Sequence, residues 1–442
     1  MLDMRIFREK PEAITESEKK RFKDPKNVDK VIEFDRKWRS SLQRAEKLKH
    51  RRNLISKEIA ELKKSKKPTR KKIGEMKGIN REIEKNDKNS GEHLSKRDIY
   101  RYRIGNILDG RVPVGKTEKE NSFVRAWGKP MVYRDHVGNF KRESYGKLKP
   151  KETGFLPRSH VDILEKLDLA DMGRAAKLSG ARFYYLKNEL VYLNLALIRF
   201  SMDFLSEQGF VPAWTPFMLR KDPMARASEL SDFENQLYKI EKEDLFLIAT
   251  AEQTLAALHM NEILQEEELP KAYAGFSTNF RREAGSHGKD TKGLFRVHQF
   301  DKVEQFVFCK PEDSEEWFEK LIKNAETLYQ KLEIPYRVMS VCSGEINDNA
   351  SLKYDLETWM PAQGRFREVV SCSNCTDYQP RKLNVKFANG KGEKFFPHAI
   401  NSTAIATGRT IVAILENYQR KDGSVEIPKA LKPYLNFGEI KR

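Results

Sequence analysis

Between Thr278 and Glu304 the chain reads TNFRREAGSHGKDTKGLFRVHQFDKVE. Arg281, Arg282, Glu283, Arg296, Gln299 and Glu304 are set around a Gly-rich loop between two apolar-flanked runs. Such a hairpin can hold a nucleotide triphosphate between guanidinium groups. Arginine presents a planar fork of donors that matches phosphate oxygens, and it keeps its charge at any working pH. The carboxylate of Glu283 can take a base amino group or help hold a metal-bound phosphate. A surface hairpin with solvated charges would have the same composition, so the segment needs companions to be decisive.

It has them. FLIATAE at Phe246–Glu252 lies before it in the chain and HAINSTAIATGRTIVAILENYQ at His398–Gln419 after it. Together the three segments resemble the class II aminoacyl-tRNA synthetases, and most closely the seryl-tRNA synthetase family. The likeness extends to the opening residues, MLDMRIFREKPEAI, and so spans nearly the whole chain. Gly209–Leu219, GFVPAWTPFML, resembles the first class II motif, with Pro216 at its proline. In the family this helix and strand build a homodimer interface. Read alone, Pro212 and Pro216 make the run an edge strand, where a partner chain can also dock.

The resemblance implies ATP-dependent activation of L-serine as seryl-adenylate, then transfer to the 3′-terminal ribose of tRNA(Ser). Serylation of tRNA(Sec), where one exists, is also implied. This chemistry needs positioning and charge stabilisation, not an enzyme nucleophile. Catalysis then falls to Arg281, Arg409 and Glu368. Arg281 matches the arginine on the α-phosphate, Glu283 the carboxylate on the adenine side, and Val297 and Phe300 the adenine pocket. Arg296 matches an arginine near the far phosphates, and Arg409 a further nucleotide contact. Glu368 and Ser371, in REVVSCSN, match the metal end, where Mg²⁺ takes one or two carboxylates plus phosphates. Glu357 is a neighbouring acid. Thr250, Glu252, Arg281, Glu304, Asn401 and Thr403 match the surroundings of serine. A pocket that hydrogen-bonds a hydroxyl rejects alanine, because buried groups would be left unpaired. The last motif reads NSTAIATGR where many relatives carry glycines near its start, a departure that touches Asn401 and Thr403.

Cys372 and Cys375 form a CxxC, but no second pair at matching spacing completes a zinc set, and no zinc is expected. His298 reads as a packed histidine supporting the hairpin, or as a general base. Four cysteines are too few for a disulfide framework and suit a reducing cytoplasm.

At 442 residues the chain exceeds one ordinary core. Its 83 basic and 65 acidic residues give a net +18, which favours a polyanionic partner, nucleic acid before membrane. The most apolar long stretch, Leu190–Leu205, is broken by Asn194, Arg199 and Asp203, and reads as a buried amphipathic helix rather than a membrane span. No charged-then-apolar leader opens the chain.

The elements that position these residues are legible in outline. Val31, Phe34, Trp38, Ser41, Ala45, Leu48, Arg52, Ile55, Ile59 and Leu62 recur at steps of three and four. After a break at Lys66–Thr69, Ile73, Met76, Ile79 and Ile83 restart the stripe. The pattern predicts two antiparallel helices, roughly 27–64 and 69–105, weakened past Asn86 by Asn89, Ser90 and Gly91. By pattern alone this is a dimerisation coiled coil or a nucleic-acid arm. The resemblance makes it the tRNA-binding arm, with Lys57, Lys63, Lys64, Lys66, Lys67, Arg70, Lys71 and Lys72 toward phosphates. The expected division is an arm over 1–112, a connector over 113–159 and a class II catalytic domain over 160–442. The connector is longer than the family's usual one between Pro130 and His160.

Beyond His160, helical segments (Val161–Leu167, Leu190–Gln208) alternate with β-rich runs (Glu304–Cys309, Phe366–Ser371), which predicts an α+β domain. No P-loop or dinucleotide glycine pattern is present, so nucleotide would be held by side chains on a sheet. The class II fold implied is an antiparallel sheet flanked by helices. Two other functions are compatible with such a chain: a catalytically silent RNA-binding relative, and an amide ligase on the same core. The intact motif arginines oppose the first, and the basic arm opposes the second.

Overall fold

The computed structural model describes residues 1–229, 236–283, 290 and 292–442. The chain divides into two compact units, Met1–Ile107 and Leu108–Arg442.

The first unit is dominated by two long helices, α1 (Lys26–Lys64) and α2 (Arg70–Arg101). All ten stripe positions of α1 are buried or half-buried. Ile55 and Ile59 meet Ile79 and Ile83, with Leu48, Ile73 and Met76 against them. The helix α1 ends where Lys66 turns left-handed (φ 52°) and Lys67 N donates to Leu62 O. The return helix does not weaken past Asn86. That side chain is buried and its Nδ2 donates to Ser41 O at 2.7 Å, so a polar residue serves the seam. Of the basic tip residues, Lys72 is engaged, 2.6 Å from Glu58 and 3.4 Å from Glu75.

The second unit is built on an eight-stranded sheet: β1 (Ser122–Trp127), β2 (Val211–Trp214), β3 (Lys271–Phe280), β4 (Gln299–Cys309), β5 (Tyr336–Ser340), β6 (Leu352–Met360), β7 (Arg365–Asn374) and β8 (His398–Ala406). Their spatial order is β1-β5-β6-β7-β8-β4-β3-β2, antiparallel except for the edge pair β3–β2. This is the α+β architecture expected from the alternating patterns. The proline-bearing run 211–214 is indeed an edge strand.

Helices cover the sheet. In α5 (Ser314–Lys331), Phe318, Leu321, Ile322, Ala325, Leu328 and Tyr329 recur at helical spacing and are fully buried. Each such large side chain stabilises the fold by about 1.5–3 kcal/mol. In α3 (Glu189–Glu207), Leu190, Leu193, Leu197 and Phe200 enter the core, whereas Tyr192 and Leu195 face outward. Among the described residues no helix is long and apolar enough to cross a membrane.

The short helix α4 (Ala251–Ala257) lies against β3 because Gly275 leaves room for it. A Cβ at Gly275 would sit 2.7 Å from Leu255 Cδ1 and 3.4 Å from Ala251 Cβ. Gly275→Val should therefore destabilise the protein by about 1–3 kcal/mol through overpacking. Thermal unfolding checks this, and adding Leu255→Ala should restore part of the loss.

Candidate active site

A cleft of about 400 Å³ opens over the sheet, and all thirteen site residues singled out from the sequence line it. Strand geometry explains why. Phe300, Lys302 and Glu304 alternate along β4 and so share one face. Glu368 and Ser371 are three apart on β7, a spacing that would normally send them to opposite faces. The register slips by one residue between Leu356/Val370 and Glu357/Glu368, leaving Val369 as an extra residue. That bulge returns both side chains to the cleft. On β8, Asn401 and Thr403 share the face by simple alternation, opposite Phe306 and Glu304 of β4.

One end of the cleft is a buried charged pocket. Glu304 is 2 % exposed, and its carboxylate lies 2.5 Å from the ammonium of Lys302. Lys302 also donates to Thr250 Oγ1 at 2.7 Å. Thr250 caps α4, accepting from Glu252 N at 3.2 Å. Glu252 accepts from Gln379 Nε2 at 2.7 Å. Burial, reinforced by the nearby Glu304 charge, pushes the Glu252 carboxyl up to about 7, against the opposing pull of Gln379 and Lys302. Asn401 Nδ2 reaches Cys375 Sγ at 3.6 Å.

The other end is lined by arginines. Arg281 donates to Ala249 O at 3.2 Å and lies over the Phe300 ring, 5.2 Å from its centroid. Arg409 meets both the backbone carbonyl and the carboxylate of Glu368 at 3.1 Å. Burial works against ionising Glu368, but Arg409, Lys353 and Arg281 outweigh it and hold the carboxyl below its usual range. Ser371 Oγ donates to Asp355 Oδ1 at 2.9 Å. Burial raises the Asp355 carboxyl well above the ordinary value. Arg296 is paired with Glu283 at 2.9 Å, and Val297 is buried behind them.

The first domain matched is the tRNA synthetase class II core domain (G, H, P, S and T), over residues 236–418. Residues 1–108 match the seryl-tRNA synthetase N-terminal domain. The serine–tRNA ligase of Pyrococcus abyssi is 49% identical, covering 100% of this chain and 97% of the relative. The structure of seryl-tRNA synthetase from Pyrococcus horikoshii complexed with ATP superposes with a TM-score of 0.96 at 49% identity, covering 100% and 99% of the two chains. The cytoplasmic serine–tRNA ligase of Naegleria fowleri in complex with AMP gives 0.87 at 39% identity, again over 100% and 99%.

The chain belongs to the seryl-tRNA synthetase family.

Several residues of the cleft escaped the sequence reading. Lys302 is the chief of them, although its position two before Glu304 on a strand signals a shared face. Lys353, Asn349 and Gln253 also line the cleft, and nothing local in the sequence marks them. Phe295 is clasped between guanidinium groups, with Arg367 3.9 Å and Arg409 4.9 Å from its centroid. Glu357 is not part of the lining; it is paired with Arg337 at 2.6 Å. His298 donates from Nδ1 to Arg281 O at 2.8 Å and stacks on Phe183, the packed role. Cys372 and Cys375 enter two different apolar cores, so the CxxC does not converge. Among the described residues, no three His, Cys, Asp or Glu side chains form a metal-binding group.

The half-buried acid at 252 has a cost for the empty protein. A carboxyl raised on folding favours the folded state only while protonated. That advantage fades as pH rises from the unfolded value near 4.3 toward 7. Glu252→Gln should thus stabilise the ligand-free protein at pH 8, by roughly 1–3 kcal/mol. The gain should vanish near pH 4 in paired thermal melts.

Proposed function

We propose that this chain ligates L-serine to tRNA(Ser) in two steps through seryl-adenylate. The observation that carries the reading is the buried Thr250–Glu252–Lys302–Glu304 pocket opening into the arginine-lined cleft. An ammonium group entering that pocket meets two carboxylates beside a single lysine. Serine is the substrate class suggested by the family and by the polar lining, Thr250, Asn401 and Thr403. ATP is suggested by the arginines and by the complex of the Pyrococcus horikoshii relative.

In the first step the serine carboxylate attacks the α-phosphorus of ATP, and pyrophosphate leaves. Arg281 is assigned the α-phosphate and the serine carboxylate, so that it neutralises both ends of the forming bond. Arg409 and Arg296 take the outer phosphates, and Glu283 accepts from the adenine amino group. The adenine sits between Val297 and the Phe300 face that Arg281 does not cover. In the second step a hydroxyl of the tRNA 3′-terminal ribose attacks the acyl carbonyl, releasing AMP. Glu368 carries an ionised, half-exposed carboxylate into the cleft beside Ser371 and Asp355. This donor set fits Mg²⁺, which prefers one or two carboxylates plus phosphates. Glu368 and Ser371 would hold it, and bound there it supplies charge neutralisation to the phosphates.

The basic helical arm is assigned to tRNA(Ser). Seven of its eight tip cations have no ion pair among the described residues. The same arm would accept tRNA(Sec) where one exists. Homodimerisation is assigned to the edge strand β2, which exposes Val211 and Trp214 (78%), and to α3, which exposes Tyr192 and Leu195. Exposed large apolar side chains on both elements favour an interface. Four buried cysteines outside any disulfide suit action in a reducing cytoplasm.

Serine-dependent ATP–pyrophosphate exchange tests the chemistry, with threonine, alanine and cysteine as competitors. Exchange with serine alone is expected, and Arg409→Ala should lower its rate roughly 10²–10³-fold. No exchange with any amino acid in folded protein contradicts the proposal. Sedimentation tests the dimer: Trp214→Asp should shift it to monomer.

A further inference from the structure

The second unit as a whole is nearly neutral, with fifty basic and forty-seven acidic residues. Residues 129–151 alone hold seven of these bases against two acids, so the remainder of the unit is net negative. All seven side chains are exposed. Lys129, Lys141, Lys147, Lys149 and Lys151 make no ion pair among the described residues. Arg134 has only the neighbouring Asp135, at 3.6 Å, and both are exposed. Asp135, Glu143 and the exposed Glu152 dilute the run only in part.

The segment is also folded and fixed. Met131–Tyr133 pairs in parallel with Lys151–Thr153, and the helix Val137–Glu143 lies between them in sequence. Val132, Phe140 and Leu148 form a small core with Trp359 and Phe366, the facing ends of β6 and β7. Trp359 Nε1 donates to Met131 O at 2.8 Å, Phe366 N to Glu143 Oε2 at 2.9 Å, and His136 Nδ1 to Pro361 O at 3.1 Å. Gly364, at φ 62°, makes the approach possible, since a Cβ there would fall 2.5 Å from the His136 ring. The module is thus clamped on the β6–β7 turn. Only four residues, or about 13 Å of strand, separate Gly364 from Glu368 in the cleft.

We propose that this module is a second docking surface for the phosphate backbone of the tRNA substrate, on the catalytic unit itself. The inference rests on the proposed tRNA ligase function. A tRNA whose 3′ ribose enters the cleft must carry its polyanionic stem past the rim, and the module supplies cations there. Lysines without bidentate partners suit backbone contact rather than base reading. Tyr145, 48% exposed among them, offers a stacking face. RNA is favoured over an acidic membrane because the surface is tied to the hairpin that carries Glu368.

The test is the triple substitution Lys147→Glu/Lys149→Glu/Lys151→Glu in the full chain, alongside the neutral Lys→Gln triple. Serine-dependent exchange, which needs no tRNA, should stay within about twofold of the parent, while the KM for tRNA rises roughly tenfold or more. Direct binding of unfractionated tRNA over a salt series should show a log–log slope shallower by about 3 for the charge reversal. The Gln triple should fall between it and the parent. Unchanged tRNA KM and salt slope would overturn the proposal. So would exchange and thermal stability falling in step with RNA binding, because the lysines would then be structural. Absence of exchange in the parent would refute the ligase reading separately, and the tRNA-binding slopes would still decide this one.

Discussion

Two carboxylates, Glu304 buried and Glu252 half-buried, set the terms for the rest of the catalytic unit beside one lysine. Glu252 and Glu304 come from a helix start and a central strand, and Lys302 lies between them. Like charges this close in a low-dielectric pocket resist joint ionisation, which is why burial and Glu304 together raise Glu252. Such a site is poorly satisfied when empty and best satisfied by a bound cation. The surrounding structure has to hold it against that tendency. Gly275 lets α4 sit close to β3, Gln379 fixes one oxygen of Glu252, and Thr250 is tied to both the helix and Lys302.

The arginine end works by the opposite rule. There the cations are in excess, and Glu368, half-exposed but partly desolvated, stays ionised because Arg409, Lys353 and Arg281 surround it. The cleft therefore runs from a pocket that wants positive charge to a face that wants negative charge. An amino acid with its ammonium in the first and its carboxylate toward the second is oriented along that gradient, with its carboxylate at the phosphate-binding end. Orientation of this kind is a large part of what a site without an enzyme nucleophile can offer.

How much of this was legible from sequence differs by element. The hairpin arm was, because its apolar steps alternate between three and four over many turns. Its continuation past Asn86 was not, because a buried amide satisfied across the seam looks like a helix breaker in one dimension. The β-run Glu304–Cys309 was legible, but the strand begins five residues earlier, at Gln299, so the face shared by Phe300, Lys302 and Glu304 was not. The bulge at Val369 was hidden, since the extra residue leaves no compositional mark and only the cross-strand register reveals it. Residues such as Lys353 and Phe295 were invisible for a related reason. Their importance comes from what lies opposite them, and that depends on strands far apart in the chain. The basic module at 129–151 was visible as a run of charge, but its attachment to the β6–β7 turn required the folded structure.

The central claim is that the acid pair Glu252 and Glu304 is a receptor for the substrate ammonium. Isothermal titration of L-serine near pH 6.5, in buffers of different ionisation enthalpy, tests it most directly. A Glu252 carboxyl near 7 must lose its proton as it pairs with the ammonium, so binding should release roughly 0.7 proton. The Glu252→Gln variant should release none. Serine binding with no net proton release in the parent protein would contradict the account.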